Sequence, residues 1–387
     1  MYKKVITQFM LTAQILIQAL SSLSKKTALI CLLISSSFIA FTVQAEQISF
    51  NKKLIDEQYL FDYQWRDHNN ALQSITFSLP QRDIFQRYRG FAVYQAKLAR
   101  EYVNNELRRH FKKNPVSGVV LSFEEENGYF QVNIKSQKQE LIEQVSAKIT
   151  ALEEEFNQSY LTKNHYHQFT TPDQNRAIKP DHGKIASESV IDFKSLKTTI
   201  LEKSSVRNIR KVTNYVLAFI QSIPYSTLES RVTSSGAGFS PPLKLLWENQ
   251  GDCDSKVTLI AAILRALMPR IKMALIYIDN HAFIGINADP IDSDVTVVFN
   301  GITYVLAEPT GPALMRLGEL APESELAIHR GHYSLEEFHA KSKPIKTEGI
   351  ENEFNENSEE SLPLVDGDAF RANLDPTDTP QGLPQGA

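Results

Sequence analysis

Between residues 61 and 79 apolar and polar positions alternate: FDYQWRD, a polar break at His68, Asn69 and Asn70, then ALQSITFSL. A period of two, with aromatic and β-branched side chains on either side of an Asn pair, predicts a β-hairpin. From Gln81 to about Lys113 the period lengthens to that of a helix, with Ile84, Tyr88, Ala92, Leu98, Val103, Leu107 and Phe111 along one side. Alternation returns in VSGVVLSFEE and YFQVNIKS, which turn at Asn127 and Gly128, the residue pair that best suits a type I′ turn. A charged amphipathic helix follows from Lys138 to about Asn157, with Leu141, Val145, Ile149, Leu152 and Phe156 at helical spacing. Residues 46–165 therefore read as a ββα-ββα unit, a small α+β domain in which a four-stranded sheet carries two helices. Its charged and aromatic residues read as ordinary faces and core.

Periodicity then lapses. Residues 166–187 are rich in Pro, Asp, Asn, His and Lys and read as a linker. A second folded region, 188–345, begins with a helical pattern near Ile191 that is strongest from Ser205 to Ser222. Pro224 and the polar stretch from Ser226 to Pro242 interrupt it, and a loop of that length beside a candidate site reads as substrate-facing. Gly236 and Gly238 in this loop lack the GK[ST] ending of a phosphate loop. Next comes LWENQGDCDSKVTLIAAILRAL, residues 246–267, in which a Gly251-Asp252 turn opens an apolar-periodic helix at Cys253. The strands IKMALIYID, HAFIGIN, VTVVF and ITYVLAEP follow, the last two joined at Asn300-Gly301, again type I′ chemistry. A short helix is expected from Ser334 to about Lys341. Residues 346–387, acidic and poor in bulky apolar groups, are expected to be a disordered tail.

Composition narrows the classes. The chain has 387 residues, enough for two ordinary domains, and its 42% hydrophobic and 22% charged content is that of a globular protein. A net charge of -4 gives no reason to expect nucleic acid as a partner. Two cysteines exclude a disulfide scaffold and a cysteine-rich zinc site, and nine histidines without HExxH spacing give a metal little support, so no cofactor or metal is expected. At the N-terminus, Lys25 and Lys26 precede the apolar run 27–43, and Val43-Gln44-Ala45 resembles a small-residue cleavage site. Residues 1–45 thus read either as a cleaved export signal or as an inner-membrane anchor through 27–43, a stretch at the short end for spanning a bilayer. Both readings place the rest of the chain outside the cytoplasm, in the periplasm or anchored facing it.

Export makes the cysteines informative. Cys31 lies in the apolar run, so cleavage would leave Cys253 as one unpaired thiol. At a helix start a thiolate is favoured by unpaired N–H groups, with Lys256 one turn in adding positive charge and Asp252 and Asp254 opposing it. A cysteine nucleophile needs a base, and the base an orienting group. His281, where one strand ends and the next begins, and Glu308, at the end of ITYVLAEP, can supply these roles if antiparallel pairing brings the strands together.

The set GDCDSKVTLIAAILRAL, NHAFIGI and YVLAEPTGP resembles the catalytic core of the transglutaminase-like superfamily, within the wider papain-like fold. The resemblance spans roughly residues 191–318 and implies a core helix on an antiparallel sheet, with Cys253 as nucleophile, His281 as general base and acid, and Glu308 as orienting group. Glu308 departs from the aspartate usual in that family, and aspartates flank the cysteine where relatives carry apolar neighbours. The backbone N–H of Cys253 would be one oxyanion donor, with the Tyr225 or Gln250 side chain as candidates for a second. The implied activity is acyl transfer on protein or peptide amides. Hydrolysis by a cysteine peptidase or amidase is preferred; amine cross-linking and a non-catalytic binding module of the cell envelope are the alternatives.

Overall fold

The computed structural model describes residues 45–126, 129–171, 175–204, 208–229 and 238–338. The architecture is α+β. Three strands, β1 (Gln47–Ile55), β2 (Gln58–Arg66) and β3 (Leu72–Pro80), form an antiparallel sheet in sequence order. Its inner face is the alternating set the sequence predicts: Phe61, Tyr63, Trp65, Ile75, Phe77 and Leu79 are all buried. Each such side chain contributes about 1.5–3 kcal/mol when removed from water. They join one apolar cluster with Val216 and Phe219 of a later helix and with Leu245 and Leu246. The Tyr63 ring meets Phe219 edge-on at 4.9 Å, and its hydroxyl donates to the Leu246 carbonyl at 3.0 Å.

The second hairpin, β4 (Val119–Glu126) and β5 (Tyr129–Ser136), is a separate two-stranded sheet, so the expected four-stranded sheet does not form. The hairpin packs with α2 (Ala96–Lys113) and α3 (Gln139–Lys163) around its own cluster, which includes Val103, Leu107, Phe111, Val132, Ile134 and Ile149. The expected Asn127-Gly128 turn lies outside the described residues. The continuous helix expected from 81 to 113 is divided into α1 (Gln81–Gln86) and α2. Gly90 disfavours helix between them. Tertiary contacts hold the break: Tyr88 donates to the Ile185 carbonyl at 3.0 Å, and the Phe91 ring stacks on Tyr166 at 5.5 Å.

Residues 166–187, expected to be a linker, instead contain β6 (Tyr166–Thr170), β7 (Arg176–Pro180) and most of α4 (His182–Ser189). Asp181 caps α4 by accepting from the Lys184 N–H at 2.9 Å. The polar residues that suggested a linker are paired in the fold; Lys179, for example, is buried with its ammonium 2.6 Å from Glu336. A 3₁₀ turn (Val190–Phe193) leads to α5 (Leu196–Ser204) and to α6 (Ile209–Ser222), which is capped by Asn208 through the Lys211 N–H. A further short helix, α7 (Pro242–Glu248), has Pro242 in its first turn, where a missing N–H costs nothing.

The site-bearing half is built on α8 (Cys253–Leu267). Every residue from Ser255 to Leu267 is buried, as expected of a helix apolar on nearly all sides. It packs against a curled five-stranded antiparallel half-barrel made of β8 (Met273–Ile278), β9 (His281–Ile286), β10 (Thr296–Phe299), β11 (Ile302–Ala307) and β12 (Ser334–Phe338), in the order β10-β11-β9-β8-β12. Ala282, Ile284, Ile286, Val305 and Ala307 face the same core as α8. Phe283, Tyr304 and Leu306 belong to a second cluster on the other side, with Ile328 of α9 (Pro322–His329). The β10–β11 turn has the expected positive-φ pair, Asn300 at 48° and Gly301 at 73°. The helix expected after Ser334 is instead strand β12, paired with β8 from Ser334↔Tyr277 to Phe338↔Met273. The open edge of β8 and the Arg265 guanidinium, which donates to the Phe338 carbonyl at 2.6 Å, override a weak local preference. No helix among the described residues is long and apolar enough to cross a membrane. The segments expected to be an export signal or anchor and a disordered tail lie outside the described residues, except Ala45.

Candidate active site

The turn before α8 is built by close approach. Asn249 takes a left-handed conformation (φ 53°) to end α7. A Cβ on Gly251 would lie 2.6 Å from Leu245 Cδ1, so any larger residue there would have to displace the Leu245 side chain. Gly251 pairs as an isolated parallel bridge with Tyr225, its N–H donating to the Pro224 carbonyl at 3.2 Å. Asp252 is the N-cap of α8, accepting from the Ser255 N–H at 3.0 Å, and Cys253 is the first helical residue. The Cys253 thiol is unpaired.

Strand pairing positions the other two residues. Ile278 pairs with His281 across a two-residue turn in which Asn280 adopts φ 58°, a conformation asparagine tolerates. Ala307 of β11 pairs with Ile284 of β9. Continuing that register by one residue sets Glu308 opposite Phe283 and diagonal to His281, a separation long side chains can cross. The glutamate crosses it: His281 Nε2 lies 2.6 Å from Glu308 Oε1. The methylene that distinguishes glutamate from aspartate supplies the added reach. Glu308 is 6% exposed. Burial raises its carboxyl pKa, but the His281 bond and charge, the Ala321 N–H and the Ser324 hydroxyl together hold it below the usual carboxylate value. Gln221, buried on α6, donates to the Glu308 carbonyl at 2.8 Å and fixes the backbone beneath it.

The thiol lies against the backbone on both sides of His281. Its sulfur is 3.9 Å from the Asn280 carbonyl oxygen, and the Ala282 N–H bonds to it. The imidazole, 6.0 Å from the Phe283 ring between centroids, follows the face that α9 covers, whereas α8 underlies the other face. The structure therefore joins His281 to Glu308 of the neighbouring strand end and brings Cys253 to the β8–β9 hairpin that carries His281, without a hydrogen bond between thiol and imidazole. With Nε2 engaged by Glu308, Nδ1 is the ring nitrogen left to meet a thiol.

The charge environment differs from the sequence expectation. A helix start was expected to favour the thiolate, but burial first, then Asp254 and Asp252, push the Cys253 pKa up to about 12. Lys256 is fully buried with its Nζ 2.5 Å from the Ile223 carbonyl, and burial pushes its pKa down to about 8 against the opposing pull of Cys253 and Asp252. Burial and Asp254 raise Asp252 to about 8 despite its bonds to Ser255. Tyr225 is half exposed, its backbone bridges Gly251, and burial first, then the charges of Cys253, Asp252 and Asp254, raise its pKa. Gln250 is partly buried one residue before the Gly251 turn. Neither has a defined distance to the position of an oxyanion.

Sequence reasoning missed Gln221 and Ala321, which bond Glu308, and also a buried group next to Asp254. There His182 Nδ1 lies 3.0 Å from the Tyr277 hydroxyl and Nε2 3.7 Å from Asp254 Oδ2. Burial brings His182 down to about 4 and keeps it neutral near pH 7. Its signal was hidden in the polar stretch taken for a linker. Among the described residues no group of three or more His, Cys, Asp or Glu side chains is placed to hold a metal ion. Comparisons with family models, curated proteins and solved structures find no match.

Proposed function

We propose that the protein is an exported cysteine-dependent acyl-transfer enzyme with a transglutaminase-like, papain-like core, acting on protein or peptide amides by way of Cys253, His281 and Glu308. The observation that supports this most is the part-buried 2.6 Å contact between Glu308, at the end of β11, and His281, on the β8–β9 hairpin whose backbone lies against the Cys253 sulfur. In the proposed reaction the sulfur attacks the amide carbonyl carbon as its proton passes to His281 Nδ1. His281 then gives that proton to the nitrogen as the C–N bond breaks, leaving a thioester and a free amine. Water attacks the thioester, losing a proton to His281 that returns to the sulfur as the acid departs. Because the thiol is held neutral, deprotonation accompanies attack and no thiolate–imidazolium pair is formed beforehand. Catalytic hydrogen bonds often tighten only when substrate is present, consistent with the separate thiol and imidazole here.

Two other readings make different demands. A primary amine replacing water in the second step makes the protein a cross-linker. The raised thiol pKa favours a third reading, a non-catalytic envelope module that binds a protein or peptide. Incubation with a peptide mixture, with and without a primary amine, followed by mass spectrometry separates the three. The proposal expects new carboxyl termini or deamidated side chains that disappear in Cys253→Ser. Amine adducts would select transfer, and no Cys253-dependent product with either acceptor would select the binding module.

A further inference from the structure

The β2–β3 turn, the end of α5, the first half of α6 and the chain before α9 enclose a cleft of about 380 Å³. Trp65 and Tyr215 form an aromatic wall, with ring centroids 5.4 Å apart and edge to face. Lys203, Lys211 and Arg316 line the same cleft, and Asp67 is the one carboxylate among the described residues that do, a formal charge of +2 (3 − 1). His68 adds none near pH 7, because burial lowers its pKa. Asp67 is already occupied: Oδ1 accepts the Asn69 and Ala71 N–H groups at 2.8 and 3.0 Å, and Oδ2 accepts Gln73 Nε2 at 2.8 Å. The cations meet neutral partners. Lys203 donates to the Ser74 hydroxyl at 3.2 Å and Arg316 Nη2 to Asn69 Oδ1 at 2.7 Å, while the Lys211 ammonium has no bond among the described residues. Glu319 takes the Arg316 backbone N–H at 2.8 Å and does not line the cleft. Like charges gathered in this way repel until an anion joins them. The walls are braced in advance: Tyr215 donates to the Ser74 carbonyl at 3.1 Å, and Asn214 Oδ1 accepts the Leu317 N–H at 2.8 Å. Such preorganisation lowers the entropic cost of binding.

We propose that this cleft binds a phosphate group, free or carried on a small organic molecule, through Lys203, Lys211 and Arg316. A phosphate carries about −1.5 to −2 at pH 7 and so balances the lining, whereas one carboxylate supplies half of that charge. The two lysines act as point charges on a tetrahedral anion, and Arg316 keeps Nε and Nη1 for it. Cys253, His281 and Glu308 do not line the cleft, so the inference does not rest on the acyl-transfer reading.

The test is equilibrium dialysis of the full chain against radiolabelled inorganic phosphate near neutral pH, with ionic strength held constant by chloride. Saturable binding at one site per chain is expected, with a Kd of about 1 mM or tighter, within reach of so small a ligand. Lys211 is exposed, so Lys211→Gln leaves the fold alone and should weaken binding about tenfold, the scale of one charged hydrogen bond. Adding Lys203→Gln should weaken it by about tenfold more, while Lys97→Gln on α2, outside the cleft, should change nothing. Phenyl phosphate competing more strongly than phosphate assigns an organic monoester with its ring on the Trp65 wall, and equal competition assigns phosphate alone; both uphold the site. Acetate competing as well as phosphate overturns the phosphate assignment. No saturable binding in this range, or binding that both lysine substitutions leave unchanged, overturns the site.

Discussion

Asp254 makes a quantitative case for how acidity is set around the thiol. It occupies the first turn of α8, and after burial it is the largest contributor to raising Cys253 from 9.0 to about 12. Asp254→Asn keeps the shape and removes the charge. His182, 3.7 Å away, is neutral near pH 7, so no ion pair is lost with it. Burial is the first cause of the rise and the Asp254 charge the second; a neighbouring charge that moves a pKa by about one unit is worth roughly 1.4 kcal/mol between thiol and thiolate. At a fixed, mildly alkaline pH well below the midpoint, that is about a tenfold increase in thiolate and in alkylation rate. Iodoacetamide is the right reagent because it is uncharged, and a His281→Ala background removes the base. Asp254→Asn in that background should react about tenfold faster than His281→Ala alone. An equal or slower rate would refute the electrostatic account of the thiol.

Lys256 gives a stability test with a defined sign. Its folded pKa, about 8, lies below the ordinary 10.5, so between those values the unfolded chain binds more protons and stability rises with pH. Lys256→Met lacks this term, so denaturant melts should show the variant gaining on the unsubstituted protein by on the order of 3 kcal/mol as pH falls from above 10.5 to below 8; a pH-independent difference contradicts it. Glu336→Gln leaves the buried Lys179 ammonium without its 2.6 Å partner and should cost about 3–5 kcal/mol in thermal or denaturant unfolding. Adding Lys179→Met to that variant should recover most of the loss, and an unrecovered double variant would show that the pair is not the cause.

The parts of the fold that follow hydrophobic period were legible in advance. The β2–β3 hairpin, the Cys253 helix, the meander around His281 and the Asn300-Gly301 turn all carry their signal in adjacent residues. What escaped is set by distant partners. β6, β7 and α4 are polar because Lys179, His167 and His182 are satisfied by Glu336, Asp181, Tyr277 and Asp254, which no local pattern reveals. β12 is a strand because β8 presents an open edge. At the site, the His281–Glu308 pairing could be expected from strand order, and the structure forms it. The thiol environment could not be weighed: burial decides the balance among Asp252, Asp254 and Lys256, and sequence alone does not measure burial. The capping of α9 was invisible because the acceptor of the Ala321 N–H, Glu308, belongs to another element.

The account's central claim is that His281 acts on Cys253. The direct measurement is the second-order rate of Cys253 alkylation by iodoacetamide near neutral pH, in the unsubstituted protein and in His281→Ala. A base within reach of a thiol otherwise held neutral should make the unsubstituted protein faster by at least about tenfold, toward the 10²–10⁴ range of general-base assistance. Equal rates in the two proteins would contradict the claim and leave Cys253 a buried thiol beside an unrelated His281–Glu308 pair.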